Sequence, residues 1–184
     1  MGPTTSAVDL PRPRVDLALG RRRHRRITGP AGLLLFVCLF LPAVKGCNEP
    51  VYPLAMPMFW HPYIYGAVLA LGSAALTVRH LHYTVVALRI VAWLTIVGSA
   101  FLIAIAGGVA LAELIVGALL LAAIGRRGYS ERRVAATAIA IGVISLLWFG
   151  LWVTTPEAMV GVYVSALASA GVFVGGLVWL VETS

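Results

Sequence analysis

Charge is scarce in this chain. Only 11% of its 184 residues are charged, and just seven are acidic. A soluble globular domain carries about 25% charged and about 45–50% apolar residues, whereas here 60% are hydrophobic. A water-exposed protein of this size has too much surface for its volume to hide that apolar content. A soluble domain is therefore excluded, and lipid is the expected solvent. Cysteine is almost missing: Cys38 and Cys47 are the two present. On a helix they stand about 13 Å apart, beyond disulfide reach, so no disulfide framework is expected. Lysine occurs once, as Lys45, against thirteen arginines, a bias that reads as codon composition in a GC-rich bacterial genome. Catalytic signatures are also lacking: there is no His-Glu-x-x-His, no Gly-x-Ser-x-Gly, no P-loop and no dinucleotide fingerprint. An enzyme is not expected, nor is a cofactor.

Long apolar runs are abundant. A spanning helix needs about 20 mostly apolar residues, and the runs predict an all-α, polytopic integral membrane bundle of about six transmembrane helices. The expected spans are 29–44, 62–79, 83–106, 109–125, 134–153 and 158–181. They form one domain over 29–184, preceded by a disordered basic tail, 1–28, and interrupted by a Pro-rich external loop, 46–61. The apolar stretch from Tyr83 to Ile124 reaches about 63 Å as a single helix, so it must fold back, and Gly107-Gly108 is the natural turn. Thr154-Thr155-Pro156-Glu157 fits a capping box that starts the last helix.

Basic residues set the orientation. With the N-terminus inside, thirteen of the fourteen fall on the cytoplasmic side and only Lys45 falls outside. Both termini are then cytoplasmic, the loop is external, and the expected location is a bacterial cytoplasmic (inner) membrane. Trp60, Trp148 and Trp152 are expected near the outer interface and Trp179 near the inner one. A repeat at an offset of 44 residues pairs Arg89, Gly98 and Glu113 with Arg133, Gly142 and Glu157.

Glu113 is the one acidic residue inside an apolar run. Ionisable groups in a bilayer are costly and mark ion or proton paths, which makes Glu113 and Arg89 the intramembrane ionisable candidates. Counted from the Gly107 turn, they differ in depth by about 19 Å, so they are not expected to pair within their hairpin. The favoured structural alternative is a helix-start Glu113 stabilised by the helix dipole, wet and level with Glu157 at the outer rim. The external loop gathers Cys47, Met56, Met58 and His61, donors that together suit Cu(I), but at no recognised spacing. An ordered cap or partner-docking loop is the favoured reading there, and Val44-Lys45-Gly46-Cys47 resembles a lipobox only faintly. Arg21, Arg22, Arg23, Arg25 and Arg26 suit anionic lipid headgroups, at about 1 kcal/mol per residue near the surface. They lack the interleaved aromatics of a nucleic-acid binder, so no nucleic acid is expected. Gly161, Ser165, Ser169, Gly171 and Gly175 form a small-residue face for close helix packing.

The leading expectation is a structural or accessory subunit of a membrane protein complex, with the lipid bilayer and other membrane subunits as partners. One alternative is a small-solute or ion transporter or channel using Glu113 as an intramembrane carboxylate. The other is a copper-binding external loop.

Overall fold

The computed structural model describes residues 22–47, 49–56, 59–75, 78–125 and 131–183. These form six helices: α1 (Arg25–Val37), α2 (His61–Ser73), α3 (Val78–Ala106), α4 (Gly108–Ile124), α5 (Glu131–Val153) and α6 (Val160–Glu182). Residues 1–21, with Arg21 among them, lie outside the described residues, as does Met58. Three helices are long and apolar enough to cross a membrane: α3 from Arg79, α5 and α6. Helix α4 is apolar and shorter, at 17 residues.

The helices at the first two expected spans have other bounds than expected. Helices α1 and α2 have 13 residues each, about 20 Å of helix, against the roughly 30 Å of a hydrocarbon core. Helix α1 begins at Arg25, within the expected tail, and runs through Pro30. Two anchors explain the early start. His24 is bound to α6, and Thr28 is fully buried where a side chain on Gly175 would strike it. After a short 3-10 turn at Cys38–Phe40, strands β1 (Val44–Lys45) and β2 (Pro50–Val51) make an antiparallel hairpin, and a second 3-10 turn covers Pro53–Ala55. This cap closes one end of the bundle, the loop end. The opposite end, where α1 starts and α6 stops, is the tail end.

The expected capping box does not form. Helix α6 starts at Val160, and the Thr154 and Thr155 hydroxyls bond back to the carbonyls of Leu151 and Trp152. The intervening backbone pairs with the cap instead. Lys45 N donates to Glu157 O at 2.8 Å, Met159 N to Ala43 O at 2.8 Å and Gly161 N to Pro42 O at 2.9 Å.

Close helix packing carries the core. The Gly32 position approaches Gly66 O on α2, Gly142 abuts the Phe173 backbone on α6, and Gly171 meets Ala31. Helices α1, α2, α5 and α6 form a tight group, with Leu35, Leu69, Ile141, Val172 and Trp179 almost fully enclosed. The α3–α4 hairpin lies at its side, joined through the Gly107 turn at φ +50°, a backbone state that glycine adopts without strain.

Candidate functional site

The α2, α3 and α4 helices bring three polar side chains together inside the apolar bundle. Glu113 lies six residues beyond Gly107, about 9 Å down α4. Ser99 stands across the hairpin on α3, and its hydroxyl donates to Glu113 Oε2 at 3.3 Å. His61 opens α2, its Nδ1 3.4 Å from Glu113 Oε1. Both of these facing atoms are buried and have no hydrogen-bond partner among the described residues. Glu113 is 5% exposed, while Glu157 is exposed. The expected wet helix-start Glu113, level with Glu157, is thus corrected. The carboxylate lies in the second turn of α4 and faces two other helices.

Aromatic rings separate this pair from the loop end. Trp148 of α5 packs edge-on to His61 with centroids 6.3 Å apart. Phe59 reaches both Trp148, at 5.7 Å, and Trp152, at 6.3 Å. Trp60 Nε1 donates to the carbonyls of Pro53 and Leu54 at 3.1 and 3.2 Å, which holds the cap down. Beside these rings lies an apolar cavity of about 170 Å³, whose walls include Met56, Phe59, Tyr63, Trp148 and Trp152.

The other expected site residues are dispersed. Cys47 is exposed, Met56 lines the cavity and His61 turns to Glu113, so the described loop donors do not converge on one point. Arg89 is held at the far end of the hairpin, where its Nη2 donates to Gly125 O at 2.8 Å. Gly161, Ser165, Ser169, Gly171 and Gly175 all face into the bundle, chiefly toward α1 and the segment after it.

Two of the described tail arginines have partners within the protein. Arg22 pairs with Glu131, and the Arg25 guanidinium donates to Ala74 O at 3.0 Å. Arg26 is exposed, and Arg23 N donates to Glu182 Oε1 at 2.6 Å.

The cluster around them was missed by sequence reasoning. His24 stacks on Trp179 with centroids 4.3 Å apart and planes 3° from parallel, and its Nδ1 is 2.7 Å from Glu182 Oε2. Trp179 Nε1 donates to Glu131 Oε1 at 3.1 Å. Trp179 is completely buried, so it is a core residue and not part of an inner aromatic belt. Burial pulls the His24 imidazole below its usual 6.5, against the opposing pull of Glu182. The signal available in the sequence was the pair Trp179 and Glu182, three apart and so neighbours on one helical face.

No protein-family model, curated protein or solved structure matches this chain, so its function must be read from the geometry of its own residues.

Proposed function

We propose that this chain is a six-span protein of a bacterial cytoplasmic membrane, with both termini cytoplasmic, that passes a small cation through a site built on Glu113. The observation that carries this is the burial of the Glu113 carboxylate between helices, facing His61 at 3.4 Å and Ser99 at 3.3 Å. A lone carboxylate at membrane depth is costly, and such groups persist where they face a bundle interior and serve an ion or proton path. The distribution of arginines supports the orientation.

The test is ion flux into liposomes holding the purified protein. A cation gradient drives flux through the wild type, Glu113→Asp retains part of it, and Glu113→Gln loses it. Equal flux in the wild type and Glu113→Gln overturns the reading. Orientation is tested separately in a Cys38→Ala variant: an impermeant thiol reagent labels Cys47 from outside intact cells, and labelling only in inverted vesicles reverses the topology.

A second reading, an accessory subunit of a membrane complex, is supported by the α3–α4 hairpin. Phe101 and Ile105 are 80% and 84% exposed, and nothing lies within 4 Å of a Cβ added at Gly98 or Gly108. Small residues beside large apolar ones make a face suited to another helix. Mild-detergent purification that leaves the protein alone counts against it.

A further inference from the structure

We infer that the ion held between the hairpin and the core is a single proton, shared between His61 Nδ1 and Glu113 Oε1. The inference rests on the cation-passing function proposed above and names its cargo.

Ligand number separates a proton from a metal ion. Zinc takes four ligands in a closed site and three protein ligands in an open one, while hard cations such as calcium take six or more oxygens. Here the convergent atoms are one imidazole nitrogen, one carboxylate and one hydroxyl. Among the described residues, no group of three His, Cys, Asp or Glu side chains stands close enough to hold a metal ion. A proton needs only two partners, and two are present, each buried and unsatisfied.

Charge gives the same answer. With Glu113 ionised and His61 neutral, the pair carries one negative charge. Among the described residues that charge has the Ser99 hydroxyl as its hydrogen-bond donor. A buried charge without a counter-charge is costly. A neutral His61 carrying its hydrogen on Nδ1 faces Oε1 as a donor, and one carrying it on Nε2 faces Oε1 as a second acceptor. One added proton, on the imidazole or on the carboxylate, makes the pair neutral overall in either case, and when it leaves the negative charge returns. The 3.4 Å separation lies just outside the ordinary N–H···O range of 2.7–3.2 Å, so closing the bond takes only a small movement.

Among the described residues, the hydrogen-bond and ring contacts of the pair are to uncharged groups. Helix α3 presents Ser99, and α5 presents the Trp148 indole. No other ion pair to either residue is found among the described residues. On the loop-end side the Trp148 ring packs edge-on to His61 and Phe59 packs against Trp148.

Infrared difference spectra of the full-length protein in liposomes, recorded across a pH titration, test the assignment. The expected result is a protonated-carboxyl band in the wild type that vanishes in Glu113→Gln. In His61→Gln, which removes the partner nitrogen, the carboxyl band changes frequency. Glu113→Asp retains a carboxyl band and guards against a variant that merely fails to fold. A missing wild-type band, a band indifferent to Glu113→Gln, or a band unchanged in His61→Gln overturns the shared proton.

Flux in the same liposomes separates this inference from the function on which it rests. Glu113-dependent sodium flux without Glu113-dependent proton flux overturns the proton and leaves cation passage standing. A carboxyl band that depends on both Glu113 and His61, with no Glu113-dependent flux of either ion, supports the shared proton and overturns cation passage.

Discussion

The four-helix group α1, α2, α5 and α6 and the α3–α4 hairpin are made of similar residues but are held in different ways. In the tight group, α5 and α6 are 44% and 39% buried over their most apolar windows, whereas α3 is only 17% buried over its own. Gly142 and Gly175 are sites of close contact within the group and Gly117 is one inside the hairpin, while an added Cβ at Gly98 or Gly108, on the hairpin, meets nothing within 4 Å, as at Gly150 of α5. The group also has a polar clasp at its tail end, made by Arg22, His24, Glu131, Trp179 and Glu182. The hairpin meets the group through Gly72 against Thr84, the Tyr65–Thr95 contact at 3.4 Å and the His61–Glu113 pair. Hydropathy alone does not separate the two regions, because lipid and a packed core accept the same side chains. What differs is how closely backbones approach.

That contrast can be broken by matched substitutions. The largest effect is expected at the tryptophans. Trp179→Ala removes a fully buried ring, and such truncations cost about 3–5 kcal/mol. Trp93→Ala, on the exposed face of α3, is expected to stay within about 0.5 kcal/mol. Reversible unfolding in mixed micelles measures both, and comparable losses would erase the distinction between the regions.

Glycines give the next test. The Cβ of Gly142→Ala lands 2.5 Å from Phe173 N, an overpacking expected to cost about 1–3 kcal/mol. The Cβ of Gly98→Ala meets nothing, so the gain in helix propensity should stabilise the protein by about 0.5–1 kcal/mol. A destabilising Gly98→Ala would mean that the hairpin face is occupied by another chain, and would sharpen the accessory-subunit reading.

The smallest effect concerns pH. His24 is buried with its folded value below 6.5, so unfolding takes up a proton in the window between the two values. Stability then rises with pH across that window. The His24 contribution is fully present above 6.5 and is lost as pH falls toward the folded value. Limited proteolysis of the tail, followed while pH is lowered through 6.5, should speed up in the wild type and change less in His24→Phe, which keeps a ring against Trp179.

Much of the fold was legible because local chemistry decided it. The apolar stretch around Gly107 was too long to be one span, and only glycine takes the φ +50° of its turn easily. The small-residue face of α6 was visible for the same kind of reason. The start of α1 and the start of α6 were not. Both are set by distant partners: Glu182 anchors His24, and the backbone of residues 42–45 pairs with Glu157, Met159 and Gly161, ahead of and into a helix that starts at Val160. The candidate site was half legible. Glu113 stood out by its charge, but its depth was judged as though the hairpin ended level with the bundle. His61, the first residue of α2, meets Glu113 six residues below the hairpin turn, so the hairpin extends past the start of α2. No local pattern links residues 61 and 113.

The short first two helices have an electrical consequence. At 13 residues each, α1 and α2 provide about 20 Å of insulating helix, beside an α3 of 29 residues and about 43 Å. A voltage applied across an insulator of uneven thickness falls most steeply where the insulator is thin. Moving one elementary charge through the whole drop is worth about 2.3 kcal/mol per 100 mV, and a charge arriving at His61 from the loop end crosses part of that drop within the thin region. On the proposed shared proton, occupancy of the pair is expected to follow membrane voltage as well as pH.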